Sequence, residues 1–299
     1  MFAYFAYGLE IHSELALPGL ESSAARPDVV VRFGVLDSHP APADTTGYFF
    51  QTLADGVHFG WEGVARFRIV GGRDITVTPA PGIDEGALRA LVLGPALAVV
   101  LHQRGFLILH GSAIVLHGKV IVFLGQKGAG KSTTAAAMHG RGHAIMADDV
   151  IAVQTDAAFP LVFPAYPQLN LWPDAVASLG HDLATSPKLH SRVEKRAMRA
   201  MSGFPRDPLP LQALYVLGKG KRNKVEILRP QEAFVELLRH SYGTRLFQGD
   251  AAPEHFRQCA SLVKAVSVRR LRVRRTLAEL SNLAQVVEED AAQNSARGS

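Results

Sequence analysis

The feature that most restricts how this chain can fold is an octapeptide, Gly125-Gln126-Lys127-Gly128-Ala129-Gly130-Lys131-Ser132, which satisfies the pattern G-x-x-x-x-G-K-[ST] in full. Glycines at these places let the backbone curl so that successive N–H groups point inward at an anion. A helix starting at the end of the loop turns its positive end toward the same anion. The pattern demands a strand before it and a helix after it. Both are present: Val120-Ile121-Val122-Phe123-Leu124 is a buried-strand run, and Ala135-Ala136-Ala137-Met138 is helix-forming. Residues 125–132 are therefore read as a cradle for nucleotide phosphates. Lys131 supplies a point charge to the outer phosphates, the Ser132 hydroxyl can ligate Mg²⁺, and Thr133 and Thr134 are auxiliary donors.

The surrounding pattern predicts an α/β fold. Strands over 106–116 and 119–124, joined through His117-Gly118, precede the loop; a short helix from Lys131 to about His139 and a strand over 143–153 follow it. Upstream, strands over 48–53, 57–61, 65–70 and 75–78 are separated by Asp55-Gly56, Glu62-Gly63 and Gly71-Gly72, the spacing of an antiparallel β subdomain. An apolar helix over 87–103, opened by Asp84-Glu85 and bent at Pro95, links the two parts. The expected division is a β-rich subdomain over 1–83, a catalytic domain over 84–290 and a disordered tail over 291–299. The Pro-rich stretch 160–173 is loosely patterned, and its aromatics are expected in the core. Strands over 211–217 and 225–228 read as a hairpin around Lys219, Lys221, Arg222 and Lys224, and helices are expected over 231–240, 253–266 and 276–287.

Composition narrows the classes further. With 47% hydrophobic and 20% charged residues the chain is globular rather than low-complexity or disordered. The single thiol, Cys259, excludes an intramolecular disulfide, and the N-terminus has no basic segment ahead of an apolar one. The apolar run 87–101 contains Arg89 and Pro95 and is shorter than the roughly 20 residues that cross a bilayer. A cytoplasmic protein without a membrane partner is expected. Residues 1–100 carry 6 Arg, no Lys and 11 acids, net −5, which leaves +10 on the rest of a chain of net charge +5. Anionic ligands are thus sought in the second part. Its densest cluster is Lys264, Arg269, Arg270, Arg272, Arg274 and Arg275; alternation with Leu271 and Val273 fits an edge strand with one basic face. No nucleic-acid module accompanies it, so an acidic peptide is a better partner than nucleic acid.

Asp148-Asp149 end the apolar stretch 144–147, where an NTPase holds its metal. Adjacent acids on an extended chain point to opposite faces, so one can hold the metal while the other accepts a proton from an attacking hydroxyl. His110 follows the apolar run 106–109 one strand before the loop, a position where a lone histidine is more often structural than functional. Lys195 and Arg196 fit a solvated helix face or contacts to phosphate or an acidic peptide.

Taken together, Leu109-His110-Gly111-Ser112, residues 125–132, Arg141-Gly142-His143 and Ala147-Asp148-Asp149-Val150 resemble the catalytic core of the HPr kinase/phosphorylase family, over about residues 108–153. The resemblance implies a P-loop kinase core and an ATP- and Mg²⁺-dependent enzyme that phosphorylates a serine hydroxyl of a peptide or small protein. It also implies that Asp148 is the proton acceptor, that Asp149 joins Ser132 at the metal, and that His110 sits beside the transferring phosphate. The family's E-[IV]-R-G-L-G-like segment has no counterpart; the chain there reads Ser191-Arg192-Val193-Glu194-Lys195-Arg196. Residues 101–105, 166–173 and 194–196 are more similar to HPr-kinase-like proteins found beside ribosomal peptides, lasso peptides among them, which implies a precursor peptide as acceptor. A small-molecule kinase, an HPr-type kinase/phosphorylase and a nucleotide-responsive binding module are the rival readings, and a homo-oligomer is compatible with each.

Overall fold

The computed structural model describes residues 1–36, 47–178, 180, 182–183, 186–190, 193–200, 202–242, 251–274 and 276–297. Ser191, Arg192, Arg275 and the last two residues of the expected tail lie outside them.

The N-terminal part is one eight-stranded sheet of β1 (Phe2–Ala6), β2 (Leu9–Ser13), β3 (Glu21–Ser22), β4 (Val29–Phe33), β5 (Tyr48–Leu53), β6 (Gly56–Trp61), β7 (Ala65–Val70) and β8 (Asp74–Pro79), in the order β3-β1-β2-β4-β8-β7-β6-β5. The three hairpins of β5–β8 form where the turn dipeptides place them, pairing Leu53 with Gly56, Trp61 with Ala65, and Val70 with Asp74. The sheet is mixed rather than antiparallel. Strand β4 runs parallel to both β2 and β8 and joins a leading hairpin to the later meander. Turn chemistry marks hairpins and carries no signal for such a pairing at a distance.

Helix α1 (Glu85–Leu91), capped by Asp84, a π-helical turn over Val92–Ala96 that holds Pro95, and α2 (Leu97–Gln103) form one bent rod. Glu85–Gln103 has the length and hydropathy of a membrane span, and 61% of its apolar window is buried inside the protein. Leu97, Val100 and Leu101 are fully enclosed, in a single apolar cluster with Phe59 and Phe67 on one side and Leu109 and Val122 on the other. That cluster runs without a seam across the expected boundary at 83/84.

The second sheet holds β9 (Leu107–Leu116), β10 (Lys119–Leu124), β11 (Ile145–Gln154), β12 (Leu161–Val162), β16 (Leu209–Lys219), β17 (Lys224–Ile227) and β18 (Ser267–Val273). Its order is β10-β9-β11-β12-β16-β18-β17, and a further pairing of β10 with β16 closes five strands into a ring. Strands β9 and β10 meet at a two-residue turn whose His117 and Gly118 both have positive φ, at 50° and 74°, as the twist of a tight hairpin requires. Strand β9 lies antiparallel between β10 and β11, so the strands before the loop and before the aspartates point the same way. Helix α3 (Lys131–Gly140) covers one face, and α5 (Pro230–His240) and α6 (Ala251–Ala265) the other. A small third sheet of β13 (Gln168–Leu171), β14 (Lys188–His190) and β15 (Val193–Arg199) stands beside β11, with α4 (Pro173–Ser178) following β13.

Four expectations need correction. Strands β16 and β17 do not form a hairpin, because β18 is inserted between them, parallel to β16 and antiparallel to β17. The basic strand β18 is thus second from the edge. Lys195 and Arg196 lie on a strand, β15, rather than a helix. Aromatics of the Pro-rich stretch divide: Tyr166 is buried and Phe163 packs against the core, whereas Trp172 is exposed.

The fourth concerns the tail, which is helical through Arg297 as part of α7 (Leu280–Arg297). Leu283, Ala284 and Val287 of α7 are buried against α3 and the sheet, while Glu288 takes Arg141 through two nitrogens, at 2.9 and 2.8 Å, and His143 at 2.8 Å. The R-G-H segment therefore anchors α7 rather than facing the phosphate loop. Its hydrogen bonds, from Arg141 above all, hold the Glu288 carboxyl down at about 2. A depressed acid contributes stability above its unfolded range and loses it on acidification. Thermal melts should therefore fall as pH drops from about 4.5 toward 2. Glu288→Gln should melt lower at neutral pH and show a flatter acid limb.

Candidate active site

Gly111 is the crossing point of the site. On β9 it pairs with Leu124, the last residue of β10, on one side and with Asp149 of β11 on the other, while Ser112 pairs with Phe123 and Asp148. The segments 109–112, 125–132 and 147–150, separated in sequence, so meet in one row across three strands. A Cβ on Gly111 would stand 2.8 Å from the Phe123 carbonyl oxygen, which is why the middle of this row has no side chain.

The phosphate loop leaves β10 through Gly125 and passes positive φ at Gly128 (78°) and Gly130 (97°) before α3 begins at Lys131. The N-terminus of α3 has no side-chain cap, so its first amides are left for a ligand. Lys131 is buried, and its Nζ donates to the carbonyl oxygens of Gly125 (3.0 Å) and Gln126 (3.4 Å). Burial lowers its pKa, and the two aspartates oppose the fall.

The two carboxylates have separate surroundings. Asp148 is only 3% exposed. Its Oδ1 accepts from the hydroxyls of Ser112 (2.6 Å) and Ser132 (3.0 Å), and its Oδ2 from the Asn170 backbone N–H (2.9 Å). Burial, then the neighbouring Asp149 charge, push its pKa up to about 7 against those hydrogen bonds. Asp149 is half-buried and lines two cavities. Its Oδ2 accepts from Asn170 Nδ2 at 3.0 Å, and its backbone sits at φ 70°, a left-handed conformation rare for a non-glycine residue and worth about 1–2 kcal/mol of strain. Such strain gathers where a side chain must be aimed against the local pleat.

His110 Nδ1 lies 3.1 Å from the Asp149 carbonyl oxygen and so must be the donor. Burial, then the Lys131 charge, lower the His110 pKa, which keeps the ring neutral and leaves Nε2 as an acceptor. Beneath, the Tyr7 hydroxyl donates to the Val150 carbonyl oxygen at 3.2 Å, so the N-terminal part of the chain braces β11 directly.

Three cavities meet at His110 and Lys127. One of about 340 Å³ opens onto Gly128, Gly130, Lys131, Ser132 and Thr133, with Trp172, Asp174 and Lys195 opposite. A second of about 1000 Å³ runs from Asp149 and Asn170 past Tyr166, Leu93, Pro95 and Met198 to Trp61 of the N-terminal sheet. The third, about 970 Å³, lies across Gln126 and Lys127 and carries Lys219, Arg239, Arg270 and Arg272. Arginines of β18 already have acidic partners within the chain: Arg269 with Asp290, Arg270 with Glu236, and Arg272 with Glu226.

The structure therefore brings together every residue expected at the site: the loop residues Gly125, Gln126, Lys127, Gly128, Ala129, Gly130, Lys131, Ser132 and Thr133, with His110, Asp148 and Asp149. The two acids differ in their surroundings. The one bonded to Ser132 is Asp148, and the one that opens to the cavities is Asp149. Ser112 and Asn170 join them unassigned by the sequence, and Lys195, for which contact with phosphate was one of two readings, lines the cavity at Ser132. Gln168 and Asn170 carried a signal, since amides alternating with Leu169 and Leu171 in a strand buried on both faces must be satisfied internally; Gln168 Nε2 donates to Asn170 Oδ1 at 3.0 Å.

Among solved structures, the chain aligns with the HPr(Ser) kinase/phosphatase from Coxiella burnetii, at 11% identity and a TM-score of 0.35 over 64% of this chain and 94% of that one. No protein-family profile and no curated protein sequence matches it.

Proposed function

We propose that this chain is an ATP- and Mg²⁺-dependent kinase that phosphorylates a serine hydroxyl of a peptide or small protein. The observation that carries the reading is the joining of the phosphate loop to the paired aspartates through the Ser132–Asp148 hydrogen bond, with Asp149 turned to an open groove. Phosphoryl transfer asks for positioning and charge neutralisation, which Lys131 and the amides at the start of α3 supply. The donor set suits Mg²⁺: Ser132 and Asp148 offer hard oxygen ligands. Among the described residues no group of three or more His, Cys, Asp or Glu converges, so phosphate oxygens and water would complete the shell, as Mg²⁺ prefers. Bound there, the metal neutralises phosphate charge.

The roles of the two acids follow their reach. Asp148 is enclosed by three hydrogen bonds and serves the metal side. Asp149 takes the proton of the acceptor hydroxyl as the serine oxygen bonds to the γ-phosphorus and the bond to the β-phosphate oxygen breaks, releasing ADP. His110 holds the strained Asp149 backbone through its carbonyl. The groove that starts at Asp149 continues past Lys188 and Arg199 to Trp61 of the N-terminal sheet, a mixed polar and apolar lining that offers a peptide acceptor contacts beyond the reacting serine.

Incubation with γ-labelled ATP and serine peptides tests the reading. Label on a peptide serine is the expected result; label on a metabolite favours a small-molecule kinase, and binding without transfer a nucleotide-responsive module. Lys131→Ala should weaken ATP binding and abolish transfer together, measured by calorimetry and by label incorporation. Unchanged ATP affinity would contradict the cradle.

A further inference from the structure

A nucleotide has a flat, apolar end as well as a charged one, and the phosphate loop serves only the charged end. Of the cavities that meet at His110, the one of about 340 Å³ contains Lys131, Ser132 and Thr133, and among the described residues its one aromatic wall apart from His110 is Trp172. Trp172 is 45% exposed, an unusual state for so large an apolar side chain in a chain that buries Tyr166 six residues earlier. Its place is fixed from both sides. Strand β13 before it is tied to Asp148 through Asn170, and its own carbonyl oxygen accepts from Val176 N–H at 3.1 Å in α4. Two residues on, Asp174 lines the same cavity and accepts from the Ala175 N–H at 2.9 Å through Oδ1, which leaves its other carboxylate oxygen without a hydrogen bond to that amide.

Building on the nucleotide reading above, we infer that Trp172 is the stacking platform for the nucleobase, with Asp174 accepting from its exocyclic amine: the site takes an amino-purine nucleotide. The cavity across Gln126 and Lys127 is the other place a base could lie. Its described lining carries Lys219 and the charge-paired Glu236, Arg239, Arg270 and Arg272, a wall dominated by ion pairs rather than by a large exposed aromatic such as Trp172. Stacking has a distinct signature, because it acts on the base and not on the phosphates.

The test compares ATP with inorganic tripolyphosphate, which has the phosphates and no base, by calorimetry on the full chain with Mg²⁺. Trp172→Ala should bind ATP roughly 10- to 100-fold more weakly and tripolyphosphate as the parent does, whereas Trp172→Phe should retain most of the ATP affinity. ATP should also quench the fluorescence that disappears in Trp172→Phe. Equal ATP affinity in Trp172→Ala, or an equal loss for both ligands, overturns the stacking site while leaving the cradle intact. A parent protein that binds neither ligand overturns the nucleotide reading itself, and this inference with it.

Discussion

Asp149→Asn is expected to lower phosphoryl transfer by roughly 10²- to 10⁴-fold, the contribution of a positioned general base, with ATP affinity nearly unchanged. Asparagine is the informative replacement because it tolerates the left-handed backbone at φ 70° and can still accept from Asn170 Nδ2, so the strand keeps its shape and only the basic oxygen is lost. Asp148→Asn should behave differently. Its carboxylate gathers two serine hydroxyls and a backbone amide, so the variant should need more Mg²⁺ for half-maximal rate and lose thermal stability as well. If Asp149→Asn turns over normally while Asp148→Asn loses roughly 10²- to 10⁴-fold in rate with its Mg²⁺ requirement unchanged, the roles are the other way round.

The largest stability effect is expected at the far end of the molecule. Arg269 is 5% exposed, and its guanidinium is compensated by Asp290 of α7, which also accepts from the Tyr215 hydroxyl at 2.7 Å. Asp290→Ala leaves a buried cation without its partner, which costs about 3–5 kcal/mol. Chemical denaturation should show that loss at constant m-value. Adding Arg269→Met to Asp290→Ala should return much of it, because removing both charges also removes the desolvation penalty. A loss below about 1 kcal/mol, the range of an exposed pair, would mean that water reaches Arg269 in solution.

That pair also shows where the sequence stops being legible. Residues 291–299 read as a solvated tail because small and polar side chains dominate, and α7 is weakly apolar by itself. It is held instead by partners far away in the chain: Arg141 and His143 on Glu288, Arg269 and Tyr215 on Asp290, and Gln212 Nε2 on the Ala291 carbonyl oxygen at 2.8 Å. Local signals were read correctly where the physics is local. Hairpins β5–β8 formed at their glycine turns, and the strand, loop and helix around residues 125–132 formed as their spacing requires. Pairings at a distance were not readable: β4 beside β8, β18 between β16 and β17, and the ring closed by β12 depend on register that no turn residue encodes.

Within the site the same division holds. Alternation predicts opposite faces for Asp148 and Asp149, but the left-handed backbone at Asp149 breaks the pleat and both carboxylates accept from Asn170, Asp148 from its backbone N–H and Asp149 from its Nδ2. Lys195 entered the site on a strand of the third sheet, whose edge is ordered by Asn170 rather than by any pattern of its own.

The most direct measurement is a crystal structure with a non-hydrolysable ATP analogue and Mn²⁺ in place of Mg²⁺, located by its anomalous signal. The account predicts the triphosphate along residues 125–132, a metal peak touching the Ser132 hydroxyl, and the Asp149 carboxylate free of metal and open to the groove. A metal held by Asp149 away from Ser132, or a nucleotide bound elsewhere with the loop empty, would contradict it.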